Sequence, residues 1–184
     1  MTEEVLTYRM STGKFELLPD SISYRGRTYP YSSVIHLGRF ARKTSLNFIP
    51  IGDYLRITIY IEGIEKPITV QNSFGMLFTT SRLKRIYKSL VEKTFHLRIK
   101  NYLKQLDNKG FFDYGGAKFF SAGYVLIDNQ KINLLTAKVW LEPFEFVFKE
   151  PTGFFTRKRR VSTDIDQDVF LALLKKLYRI ESGN

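Results

Sequence analysis

From Thr79 to Leu106 the chain reads TTSRLKRIYKSLVEKTFHLRIKNYLKQL, and the organisation of the rest follows from this stretch. At about 100° per residue it projects as a helix whose apolar stripe changes face along its length. Leu83, Ile86, Tyr87, Leu90 and Leu97 cluster around one direction. Val91, Phe95, Ile99, Tyr102, Leu103 and Leu106 cluster roughly 150° further round. A helix with two stripes has two things to bury. The spacing therefore predicts a strut between two small β-rich modules, residues 1–110 and 111–184. The alternative is one domain with the helix sunk deeply in it.

The stretch is also basic. From Thr79 to Gly110 nine Lys or Arg face only Glu92 and Asp107, so the strut carries much of the net charge of +11. Two further clusters fall in expected loops: Arg39, Arg42 and Lys43, then Arg157, Lys158, Arg159 and Arg160. Such placement points to an acidic partner, an anionic membrane surface or nucleic acid. With 43% hydrophobic and 15% aromatic residues, the chain has enough apolar surface to offset ordering entropy and is expected to fold. It has no cysteine, so disulfides, thiolate metal sites and cysteine nucleophiles are excluded, and an intracellular, cytoplasmic setting is expected. Glu3 and Glu4 stand where a secretory signal needs positive charge. No run approaches the roughly 18 apolar residues of a membrane span, so membrane contact is expected to be peripheral.

On either side of the strut the pattern is short strands. Before it these are Phe15–Leu18, Ile22–Tyr24, Arg27–Tyr31, Val34–Phe40, Leu46–Ile51, Tyr54–Glu62 and Lys66–Gln71, with turns at Pro19-Asp20 and Arg25-Gly26. The cleanest is Tyr54–Glu62, where Leu55, Ile57, Ile59 and Ile61 alternate with more polar residues. Gly110 marks the strut's end. After it come Lys118–Phe120, Tyr124–Ile127, Lys131–Leu134, Ala137–Leu141, Phe144–Lys149 and Arg159–Thr163. A final helix over about 166–180 carries Val169, Phe170, Leu173, Leu174, Leu177 and Tyr178 at helical spacing. Asp166 is read as its N-cap, with Asp168 in the first turn.

The chain thus runs twice from antiparallel strands to an amphipathic helix, an α+β order that resembles the pleckstrin-homology-like fold, a bent antiparallel barrel closed by its C-terminal helix. The likeness covers about residues 14–106 and, one strand short, 118–181. Phe119 to Lys149, with Gly123, the Asp128-Asn129-Gln130-Lys131 turn, then Ile132 and Leu134, looks like pleckstrin-homology-like segments of uncharacterised bacterial proteins. A weak self-similarity matches residues 24–31 (YRGRTYPY) with residues 127–134 (IDNQKINL), in keeping with a tandem arrangement. The resemblance implies a binding scaffold for lipid headgroups or peptides rather than an enzyme. Membrane-binding members commonly use a basic loop between their first strands. Arg39, Arg42 and Lys43 have the residue types for it but follow a later strand.

No catalytic or cofactor signature is present. His36 and His96 lack partners at metal-ligand or general-base spacing. Asp164, Asp166 and Asp168 begin like a calcium loop, but Val169 and Lys175 occupy the positions that need Gly and Glu. Gly115-Gly116 lacks the Lys-Ser or Lys-Thr of a phosphate loop and reads as a flexible connection between modules. The sharpest candidate is residues 153–160 (GFFTRKRR). Phe154 and Phe155 at a loop tip could enter a bilayer interface while Arg157, Lys158, Arg159 and Arg160 meet anionic headgroups, each cation worth about 1 kcal/mol. The expected function is a non-catalytic interaction protein, without cofactor or metal, for an anionic membrane or an acidic protein. Nucleic-acid binding through the basic helix and loops is the second reading.

Overall fold

The structure, a computed structural model, describes residues 5–10, 13–46, 49–72, 77–142, 145–150 and 158–180; at 44–46, 49–52 and 77–79 only the backbone is described. Over the described residues the chain is α+β, with four antiparallel sheets and two helices. It divides into two compact units, Met1–Leu97 and Arg98–Asn184.

In the first unit β1 (Leu6–Met10), β2 (Gly13–Leu17), β3 (Ser21–Tyr24) and β4 (Arg27–Pro30) form a meander. After a 3₁₀ turn at Tyr31–Ser33, β5 (Val34–Leu46), β6 (Ile49–Ile61) and β7 (Ile68–Gln71) form a second. Helix α1 (Leu77–Lys109) follows, and its residues up to Leu97 belong to this unit. The alternation on β6 does what its pattern requires, burying Leu55, Ile57, Ile59 and Ile61. These join Phe15, Leu17, Ile22 and Leu37 in one core with Leu83, Ile86 and Leu90 of α1. Val91, assigned by its angle to the second stripe, packs against this first core instead.

Three strand expectations are corrected here. β1 was not anticipated. Val34–Phe40 continues to Leu46, and the segments 46–51 and 54–62 are one long strand. Pro50 does not end that strand because it sits opposite Ser45 beside a register shift, where a missing amide is tolerated.

The second unit begins with Arg98 of α1, whose end at Lys109 is marked by Gly110 at φ 75° donating its amide to Leu106. β8 (Phe111–Tyr114), β9 (Ala117–Phe120), β10 (Tyr124–Ile127) and β11 (Gln130–Asn133) form a four-stranded meander. β12 (Lys138–Glu142), β13 (Glu145–Lys149) and β14 (Lys158–Ser162) form a three-stranded one, and α2 (Gln167–Tyr178) ends the unit. The expected missing strand is β8. Gly115-Gly116 is not a flexible connection but the two-residue turn of the β8–β9 hairpin, with φ of 56° and 83°. A side chain at Gly115 would come within 2.5 Å of the Ser162 carbonyl and the Val161 side chain. The core of this unit is aromatic: Phe170 of α2 stacks on Tyr114 at 3.8 Å and meets Phe112, Phe119 and Phe146 edge-on.

The two units share strand order, four then three then a helix, and the self-similar segments hold equivalent places. Arg25-Gly26 turns β3 into β4 and Asp128-Asn129 turns β10 into β11, all four at positive φ. Immediately after, the amides of Tyr31 and Leu134 bond the carbonyls of Asp20 and Gly123. No helix among the described residues is long and apolar enough to cross a membrane.

Candidate functional site

Arg39, Arg42 and Lys43 lie not in a loop but on β5, opposite Ile57, Tyr54 and Asp53 of β6. Strand alternation sends Arg39 and Lys43 to one face and Arg42 to the other, so the three cannot converge on one ligand. Arg39 stacks its guanidinium over the Tyr87 ring at 5.3 Å. On the face of Arg42, Arg56 lies 5.2 Å over Phe40, which meets Tyr54 edge-on.

Phe154, Phe155 and Arg157 lie outside the described residues. Lys158, Arg159 and Arg160 form the start of β14 rather than a loop, and alternation separates them too. Lys158 and Arg160 point away from the core. Lys158 sits 5.5 Å over the ring of Trp140, and Arg160 bridges Glu142 and Glu145 at 3.6 and 3.3 Å. Arg159 points the other way, into a cleft of about 320 Å³ lined by Gln130, Lys131, Ile132 and Glu150.

This cleft has the chemistry of an anion site. An Nη of Arg159 donates to Gln130, while its Nε is buried with no acceptor among the described residues. A buried donor left unpaired costs about 1–3 kcal/mol, so the guanidinium is not fully satisfied by Gln130. Lys131, on β11 beyond the Asp128-Asn129 turn, borders the cleft, but its ammonium lies 4.1 Å over the Tyr124 ring, on the face of β10–β11 opposite Gln130 and Ile132. Glu150 accepts the Asn133 amide at 3.2 Å and leaves its other oxygen to receive a hydroxyl. The Arg159 guanidinium, the Gln130 amide and one carboxylate suit a phosphate carried on a hydroxylated group.

A second polar centre escaped the sequence reading. Arg98, counted there among the surface charges of the strut, is 0% exposed. It grips Asp168 with two parallel bonds of 3.0 and 2.7 Å and Asp166 with one of 2.7 Å. Tyr102 donates to the second oxygen of Asp166 at 3.0 Å. Asp166 does precede α2, but at φ 51° and ψ 33° its side chain makes no capping bond. The left-handed backbone turns the carboxylate from the helix amides towards Arg98. Desolvation opposes the Arg98 charge, yet the Asp168 bond and the field of Asp166 outweigh it and raise the guanidinium's affinity for its proton. Burial first, then Asp166, pushes the Tyr102 hydroxyl far above the usual tyrosine range. The one available signal was spacing: Leu90, Thr94, Arg98 and Tyr102 recur every fourth residue, a row that winds from the first apolar stripe to the second, and all are buried. Arg98 and Asp166 are fully buried against each other, so this centre is a structural tie. Among the described residues no group of His, Cys, Asp and Glu could hold a metal ion.

No family model, no curated protein and no solved structure matches this chain, so what it is similar to rests on the residues and geometry above.

Proposed function

We propose that this is a non-catalytic binding protein built of two pleckstrin-homology-like modules, each closed by its helix, and that its second module binds an anionic, hydroxylated lipid headgroup at a membrane surface. The fold reading is supported by the repeated order of four strands, three strands and a helix. The single observation that carries the ligand class is the Arg159 guanidinium in a polar cleft with Gln130 and Glu150, its Nε without an acceptor among the described residues. Phosphate oxygens meet Arg159, Lys131 swings from the Tyr124 ring round the edge strand β11 to join it, and Glu150 takes a hydroxyl of the headgroup. Attachment is peripheral and cytoplasmic, and the basic surface of α1 adds long-range attraction that weakens with salt.

Co-sedimentation with phosphatidylcholine vesicles, alone or with phosphatidylglycerol or phosphatidic acid, tests this across a salt series. Wild type should prefer phosphatidylglycerol, whose glycerol supplies the hydroxyls. Arg159→Gln should weaken that binding about tenfold, the effect of losing one charge-assisted bond. Equal binding by wild type and variant would refute the reading.

Nucleic acid remains the second reading, favoured by the arginines and aromatic rings of Arg42, Arg56, Phe40 and Tyr54 on one face of β5 and β6. Tight binding of single-stranded RNA that outlasts vesicle binding as salt rises would select it.

A further inference from the structure

The face of β12–β14 turned away from the core segregates its charges by register. At one end Lys138 stands opposite Lys149, and Lys149 opposite Lys158, so three lysines form a row across three neighbouring strands. At the other end lie both carboxylates of this face, Glu142 and Glu145, opposite each other. Both are engaged there: Arg160 bridges the pair, and Glu142 also accepts the Trp140 indole N–H at 3.1 Å. Among the described residues no acid pairs with Lys138 or Lys149. Like charges directly opposite one another destabilise a sheet, so the row opposes folding unless an anion occupies it.

We propose that this row is a binding site for linked phosphates, a diphosphate or longer chain, separate from the Arg159 cleft on the opposite face. Strands about 4.8 Å apart set the three lysine stems in an array about 10 Å across. Flexible stems can gather their ammonium groups onto one ligand bearing several negative charges, which a single phosphate does not supply. Trp140 is the next residue outward on the same face of β12, and Lys158 already sits over its ring. Drawing Lys158 onto a phosphate removes that cation from the indole, so occupancy changes the emission of the chain's one tryptophan.

The experiment titrates the whole protein with inorganic tripolyphosphate and with orthophosphate at matched ionic strength, following Trp140 emission and calorimetric heat together. Vesicles carrying a polyprenyl diphosphate form the membrane-borne arm, and their competition with tripolyphosphate tells a lipid source from a soluble one. Tripolyphosphate should saturate at concentrations at least about tenfold below orthophosphate. Lys149→Gln, which leaves the Lys158–Trp140 contact in place, should weaken tripolyphosphate binding about tenfold and, without ligand, raise the melting temperature. Those opposite signs separate a binding role from a structural one. Tripolyphosphate and orthophosphate producing the same unsaturable response, or Lys149→Gln binding as wild type does, would overturn the proposal. Arg159→Gln should leave tripolyphosphate binding intact, so failure here and failure of the headgroup cleft are read separately.

Discussion

The two units start their helices from buried polar centres of opposite character. In the first, Asn72 follows β7 and works on neutral groups: its side-chain oxygen accepts the Leu55 amide at 2.7 Å, and its nitrogen donates to the Asp53 carbonyl and to Thr80 of α1 at 2.7 and 3.1 Å. In the second, Asp166 follows β14 and works on charge, receiving Arg98 and Tyr102. The neutral centre ties a helix start to the strand beside it. The ionic one reaches a residue 68 positions earlier in the chain, Arg98 of α1, the residue at which the second unit begins. One strand order can thus be locked by backbone-directed or by side-chain-directed bonds. They differ in what their loss leaves behind.

The largest effect separates them by that remainder. Arg98→Ala leaves the buried Asp166 without its counter-charge and should cost about 3–5 kcal/mol. Amide-resolved hydrogen exchange should place the loss in the second unit, and equal loss in residues 13–72 would break the distinction. Asn72→Ala, its counterpart, leaves only neutral groups unpaired and should cost about 1–3 kcal/mol, localised to the first unit. A larger cost than that of Arg98→Ala would show that charge is not what sets the two centres apart.

The smallest change sharpens the comparison through pH. Tyr102→Phe should cost about 1 kcal/mol near neutrality. Because the folded-state value of Tyr102 is raised, the folded chain keeps a proton that the unfolded chain releases above about pH 10. Stability that is full below that pH is therefore lost as pH rises past it. Chemical unfolding followed by Trp140 at about pH 8 and about pH 11 should show a shallower decline in the variant than in wild type. Tyr178, whose hydroxyl burial also raises, preserves part of the slope.

Much of this was legible in residue order. Period-two alternation located β6, turn-forming dipeptides located the hairpins at residues 25–26 and 128–129, and apolar spacing located both helices. β8 was missed because Gly115-Gly116 reads as flexibility unless its flanks, Phe111–Tyr114 and Ala117–Phe120, are seen to pair. The loop placement of the basic runs was misread for the reverse reason. Consecutive cations suggest a solvated loop, but on β5 and β14 each neighbour turns to an opposite face, and among the described residues of the second run Arg159 alone lines the cleft.

Local chemistry accounts for the α+β class, the long central helix and the repeated passage from strands to helix, because periodicity and turn residues act within a few positions of themselves. Three things lay beyond it: the burial of Arg98, the segregation of lysines from glutamates on β12–β14, and the Arg159 nitrogen that no described residue accepts. Each depends on groups brought together from distant parts of the chain. Whether a charge is buried, opposed or left without a partner is a property of that meeting and not of the residue.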